Sequence, residues 1–156
     1  MLEMITEKPL GEETEFLKEE AADRTEPAGH KILVVDDEPP LLRLLAFLLT
    51  RQGYIVLTAT NGEEALAILR RERPDLLVLD VMMPRLDGYA VATMVRTEPG
   101  FATVPIIMLT ARAQQEDEER GLAVGVNAYM TKPFEPERLS EMIAGYLGAI
   151  ASKSSG

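Results

Sequence analysis

The sequence predicts an α/β domain: a doubly wound, five-stranded parallel sheet with helices on both faces. Three observations carry that reading. Short aliphatic runs alternate along the chain with longer segments of helical periodicity, the order that βαβ crossovers produce. The run Leu76-Leu77-Val78-Leu79 has no polar break, as a strand buried on both faces requires. It ends on Asp80, and Pro84 and Asp87-Gly88 then force a loop at the strand end where open α/β sheets place their ligands. Taken alone, that carboxylate reads as a solvated residue starting a turn.

Each element follows from its own residues. Residues 32–35 form a β-branched strand ending on Asp36-Asp37-Glu38. Pro39 and Pro40 suit the first turn of a helix, where an N–H is unsatisfied in any case. Leu41, Leu44, Leu45 and Leu48 follow at helical spacing until Gly53 supplies the stop. Residues 54–59 read as a second strand, and Asn61 with Glu64 caps a helix through Ala65, Leu66 and Leu69 that closes before Pro74. After the central strand comes a helix over 87–97, ended by Pro99 and Gly100. Residues 104–109 form a fourth strand finishing at Thr110, and a polar helix over 114–124 leads through Gly125 to a fifth strand over 128–130. The chain then runs Thr131-Lys132-Pro133-Phe134 into a last helix marked by Leu139, Met142, Ile143, Tyr146, Leu147 and Ile150.

Composition bounds the remainder. At 156 residues and 46% hydrophobic, the chain holds one domain with a real core, expected over residues 30–151. Residues 1–29 carry a net charge of −6 and are broken by Pro9, Gly11, Pro27 and Gly29, so a mostly disordered acidic extension is expected there. Within it a short helix over 12–22 could dock through Phe16, Leu17 and Ala21. Residues 152–156 read as a flexible end, and His30 as a surface residue. With no cysteine there is no disulfide framework or thiolate metal site. The N-terminus lacks a basic region followed by an apolar core, and no run is long enough to span a bilayer, so a cytoplasmic protein without membrane contact is expected. The net charge of −10 disfavours nucleic acid as a direct partner.

In a parallel sheet every carboxyl end points to one edge, which gathers Asp36-Asp37, Asp80, Thr110 and Lys132. Singly each has a dull explanation, as a helix cap, a strand residue or a surface ion pair. Together they place three carboxylates, a hydroxyl and an amine at one rim. Like charges about 4 Å apart repel by about 4 kcal/mol at an effective dielectric of 20, so the acids call for a cation. All-oxygen ligands suit Mg²⁺, and a carboxylate beside Mg²⁺ and a fixed ammonium suits phosphoryl transfer. Asp is also a known nucleophile that forms an aspartyl phosphate.

The set Val34-Val35-Asp36-Asp37-Glu38, Leu79-Asp80-Val81-Met82-Met83-Pro84, Leu86-Asp87-Gly88, Leu109-Thr110-Ala111 and Tyr129-Met130-Thr131-Lys132-Pro133-Phe134 resembles the receiver domain of two-component response regulators, the CheY-like superfamily. The resemblance spans residues 31–150. It implies a flavodoxin-like fold with strand order 2-1-3-4-5. It makes Asp80 the phosphoacceptor, with Mg²⁺, or Mn²⁺ in its place, held by Asp37, Asp80 and the backbone carbonyl of Met82, and Asp36 reaching it through water. Lys132 would pair with a phosphoryl oxygen, Thr110 would bond another, and Tyr129 would turn inward as the switch. The bond between Lys132 and Pro133 would be cis. Implied partners are a sensor histidine kinase or histidine phosphotransfer protein and a downstream protein target. The surface of the fourth predicted helix, fifth strand and last helix would report the change. Val126 departs from the family's usual Ala, and Met82 and Arg112 occupy positions that tune phosphoryl lifetime.

Such a protein catalyses only its own phosphorylation and dephosphorylation and is not an enzyme in the ordinary sense. The chief rival is a Mg²⁺-dependent phosphohydrolase of the haloacid dehalogenase type. That family sets its nucleophile on the first strand with an acid two residues on, whereas here Met82 fills that place. A pseudo-receiver is disfavoured by the intact acids, Thr110 and Lys132. Within the receiver reading, a single-domain regulator stands beside a fragment of a longer regulator or hybrid kinase.

Overall fold

Each predicted aliphatic run forms a strand. The computed structural model describes residues 29–111, 119 and 123–155, with backbone alone for 149–155. The described elements are β1 (Lys31–Val35), α1 (Pro39–Arg51), β2 (Ile55–Ala59), α2 (Gly62–Glu72), β3 (Leu76–Asp80), α3 (Gly88–Thr97), β4 (Ile106–Thr110), β5 (Ala128–Thr131) and α4 (Pro136–Ser155). The sheet is parallel throughout, in the order β2-β1-β3-β4-β5. The predicted doubly wound fold and its strand order are both present.

The central strand shows why an unbroken aliphatic run was needed. Leu77 and Leu79 point into one core with Ala65, Leu66 and Leu69 of α2 and Val91, Ala92 and Val95 of α3. Leu76 and Val78 point into the other, with Leu42, Leu45 and Leu49 of α1 and Leu139, Ile143 and Leu147 of α4. Side chains alternate along a strand, so a strand covered on both sides must be apolar at every position. Fully burying each such side chain contributes roughly 1.5–3 kcal/mol.

Local signals held where they had a mechanism. Asn61 Oδ1 accepts a hydrogen bond from the Glu64 amide at 2.8 Å, and Glu64 Oε1 reaches back to the Thr60 amide at 2.8 Å. Other expectations are corrected. The buried face of α1 is Leu42, Leu45 and Leu49; Leu44 is exposed and Leu41 and Leu48 are half-buried. β4 starts at Ile106, after Pro105, and includes Thr110. His30 is half-buried, and its Nδ1 has no partner among the described residues; its carbonyl accepts from the Ile55 amide at 2.9 Å, which extends the pairing of β1 with β2 by one residue. α4 runs past residue 151, since no Pro or Gly interrupts it between Gly148 and Gly156. The expected extension up to residue 28, with its helix over 12–22, lies outside the described residues, as does Arg112. So does most of the predicted helix over 114–124, of which Glu119, Ala123 and Val124 are described and helical.

Candidate phosphoacceptor site

The ends of β1, β3, β4 and β5 meet at one rim. Asp36 follows β1 directly; its amide donates to the Ala59 carbonyl at 3.1 Å, which continues the sheet by one residue. Asp36 is wholly out of solvent, at 0% exposure. Oδ1 of Asp36 accepts from the Glu38 amide at 2.9 Å, and Oδ2 accepts from Lys132 Nζ at 2.8 Å. Asp37, one residue on, is exposed. Asp80 closes β3 and is buried; its Oδ1 accepts from the Met82 amide at 3.3 Å and lies 3.5 Å from Lys132 Nζ. Carboxylate oxygens of Asp36, Asp37 and Asp80 all lie within 4.8 Å of one another.

Thr110 closes β4 and is buried; its carbonyl accepts from the Lys132 amide at 2.7 Å. That bond fixes where Lys132 leaves the sheet, and the peptide bond to Pro133 is cis. Lys132 then reaches back between Asp36 and Asp80, with Glu38 at 3.9 Å.

Electrostatics follow from this packing. Burial, reinforced by the charge of Asp36, pushes the Asp80 carboxyl up to about 6, against the opposing pull of Lys132 and the Met82 amide. For Lys132, burial opposes the charge, but the hydrogen bond to Asp36 and the nearby Asp80, Asp36 and Glu38 charges outweigh it and raise its pKa. One ammonium therefore faces three carboxylates without neutralising them. The donors are all oxygen, and the acid at their centre is held above its ordinary value. These residues fit a hard divalent cation.

The structure brings together Asp36, Asp37, Asp80, Thr110 and Lys132, and places Met82 at the rim with its side chain exposed. Tyr129 lies lower on β5, opposite Met108, half-buried against the α3 side of the sheet. Two neighbours were missed. A Cβ on Gly88 would collide with the Asp80 carbonyl, and its amide donates to the Val81 carbonyl at 2.9 Å, so Gly88 lets the loop from β3 fold back onto its own strand. Tyr89, fully inside the α3 packing, sets its hydroxyl 3.1 Å from that of Tyr129. The sequence marked Gly88 as a turn residue and said nothing of Tyr89.

The response regulator receiver domain family matches residues 32–144. The chain belongs to this family. Among solved structures, the Vibrio cholerae chemotaxis protein CheY4 superposes on this receiver with a TM-score of 0.72 at 36% identity, covering 74% of the chain and 97% of CheY4. The receiver domain of sensor histidine kinase PA1611 from Pseudomonas aeruginosa PAO1 gives a TM-score of 0.71 at 36% identity over 78% of this chain and 99% of that one; it holds a magnesium ion in its active site cleft. A probable transcriptional regulator, ycf27 of Porphyra purpurea, is 53% identical over 117 residues, which are 75% of this receiver and 47% of ycf27. The chain spans about half the length of most curated relatives it matches. Receiver domains work with histidine kinases and downstream effectors, and bind Mg²⁺ at an acidic pocket of the kind formed here. No described helix is long and apolar enough to cross a membrane.

Proposed function

We propose that this receiver is a signalling switch that accepts a phosphoryl group on Asp80 from the phosphohistidine of a sensor histidine kinase or phosphotransfer protein. The observation that carries the reading is a buried acid at the end of β3 with two further acids within 4.8 Å and an ammonium 3.5 Å away. With its pKa raised to about 6, Asp80 is still mostly ionised at neutral pH and is a stronger nucleophile than an exposed carboxylate. One Asp80 oxygen attacks phosphorus, the bond from phosphorus to the donor imidazole nitrogen breaks, and that nitrogen takes a proton from solvent.

Asp37, Asp80 and the Met82 carbonyl would hold Mg²⁺, with Asp36 behind them, and Mn²⁺ would serve in its place. When bound, the ion would supply charge neutralisation for the acceptor and phosphoryl oxygens. Lys132 turns from Asp36 and Asp80 toward a phosphoryl oxygen, and the Thr110 hydroxyl donates to another. Tyr129, on the same sheet face as Thr110, follows inward and biases the surface around the fourth predicted helix, β5 and α4 between two states. A protein target reads that surface. The chemistry ends at self-phosphorylation and self-dephosphorylation, in the cytoplasm, without direct contact of this domain to nucleic acid. The half-length match to ycf27 supports a second reading, in which the receiver is one part of a longer regulator that sends the same switch to transcription.

Incubation with acetyl phosphate tests the assignment by intact mass. One phosphoryl group is expected with Mg²⁺ and none after chelation, and Asp80→Asn is expected to stay unlabelled. Full labelling of Asp80→Asn would refute the role given to Asp80.

A further inference from the structure

We propose that Tyr89 is a positioning residue for the switch, holding Tyr129 in its half-buried position through the bond between their hydroxyls. This rests on the reading of Tyr129 as the switch residue. The two hydroxyl oxygens are 3.1 Å apart, and Tyr89 is only 2% exposed, so its ring has little freedom to carry the hydroxyl elsewhere. Tyr129 faces the α3 side of the sheet, and Thr110 lies on the same face of the neighbouring strand, since Met108 pairs with Tyr129 and Thr110 with Thr131. Tyr129 is thus reached from two directions, by Thr110 along the sheet and by Tyr89 from the helix above it.

Tyr89 is also tied to the acceptor loop. It stands two residues after Asp87, whose side chain caps α3 at the Ala90 amide at 2.9 Å, and one after Gly88, whose amide is bonded to Val81. A change in residues 81–88 on phosphorylation therefore moves the first turn of α3 and the Tyr89 hydroxyl with it. The far end of α3 is anchored separately: Arg96 donates to the Gly125 carbonyl at 2.6 Å and to Asn127 Oδ1 at 3.2 Å, just ahead of β5. With that end pinned, motion of the acceptor loop is directed to the Tyr89–Tyr129 end. The half-buried position is the inward state that phosphorylation favours, and the bond stabilises it before phosphate arrives, so Tyr89 sets how much of the unphosphorylated protein already occupies that state.

The full chain labelled with ¹³C at tyrosine Cζ tests this, its four tyrosines being assigned by Tyr→Phe replacement. Tyr89→Phe keeps the ring and removes only the hydroxyl. It is expected to shift the Tyr129 signal in the absence of phosphodonor, by lowering the equilibrium constant for the half-buried state about fivefold, the change one neutral hydrogen bond supports. Saturating acetyl phosphate with Mg²⁺ is expected to bring wild type and variant back toward a common signal, so the donor-induced change is larger in Tyr89→Phe. Tyr129→Phe must move the Tyr89 signal reciprocally, and the stability effects of the two replacements must be non-additive. Identical donor-free Tyr129 signals in wild type and Tyr89→Phe, or additive effects, would overturn the proposal. Phosphoryl incorporation by intact mass, read on the same samples, reports on Asp80 separately and does not depend on Tyr89.

Discussion

Lys132 serves two roles with one ammonium. It compensates the buried Asp36 carboxylate at 2.8 Å, and among the described residues it is the cation nearest Asp80. Lys132→Ala leaves Asp36 buried without its partner, so the metal-free fold is expected to lose about 3 kcal/mol in denaturant titration. The same variant is expected to accept phosphate from acetyl phosphate yet fail to transmit it, read as backbone amide shifts far from Asp80 that no longer respond to donor. A full distant response would remove Lys132 from the switch. The rim acids, Thr110 and Lys132 were legible because each closes or follows an aliphatic run, and parallel strands all end at one edge. Tyr89 was not: a phenol in the first turn of an amphipathic helix is indistinguishable from a core residue until β5 is seen beneath it.

Among the elements, the loop leaving β3 and the start of α3 decide the shape of the site. Gly88 has no room for a side chain above the Asp80 carbonyl, so Gly88→Ala is expected to push the loop away from the acceptor. The expected cost is about 1–3 kcal/mol in unfolding, with acetyl phosphate labelling slowed by tenfold or more. Wild-type labelling kinetics in Gly88→Ala would show that this close approach does not shape the site. Helix α1 illustrates how a pattern can be right and its register wrong. Leu41, Leu42, Leu44, Leu45, Leu48 and Leu49 let two adjacent faces satisfy helical spacing equally well. The sheet selected the face of Leu42, Leu45 and Leu49, and Phe47 was left 58% exposed under the Arg51 guanidinium at 5.4 Å. Helix periodicity locates a stripe to within one residue, and tertiary packing makes the choice. Strands were clearer, because β3 and β4 are apolar on both faces.

For the whole molecule, the rim is a place where stability yields to function. Asp80 has a folded pKa of about 6 against a usual 3.8, so the folded state holds its proton more tightly than the unfolded chain. The stability this group contributes is present below about pH 4 and is lost as pH rises from about 4 to about 6. The difference at neutral pH is of order 3 kcal/mol in the metal-free protein. Lys132 has the same sign of linkage in a different window: its raised pKa favours the fold up to its unfolded value, near 10, so that contribution is whole at neutral pH and is lost only in more alkaline solution. Metal-free Asp80→Asn is therefore expected to melt above wild type at neutral pH, with the gap closing near pH 4, and to gain little from Mg²⁺. Wild type with Mg²⁺ at about a hundred times its dissociation constant should gain about 2.7 kcal/mol. A gap that does not change with pH, or equal gains from Mg²⁺ in both proteins, would contradict the electrostatics drawn here. Fold class was legible at this scale because alternating strand and helix periods admit few topologies, while the strand order came with the resemblance to receiver domains. The pairing of Tyr89 with Tyr129 was not, since it depends on how α3 lies across the strand it touches.

Chemical trapping of the phosphorylated residue tests the central claim most directly. Borohydride reduces an aspartyl phosphate to homoserine, and peptide mass then reads the position. After acetyl phosphate and Mg²⁺, homoserine is expected at position 80 alone, with Asp36 and Asp37 unchanged. Conversion at either of those positions, or phosphate incorporated with no homoserine at 80, would contradict the account.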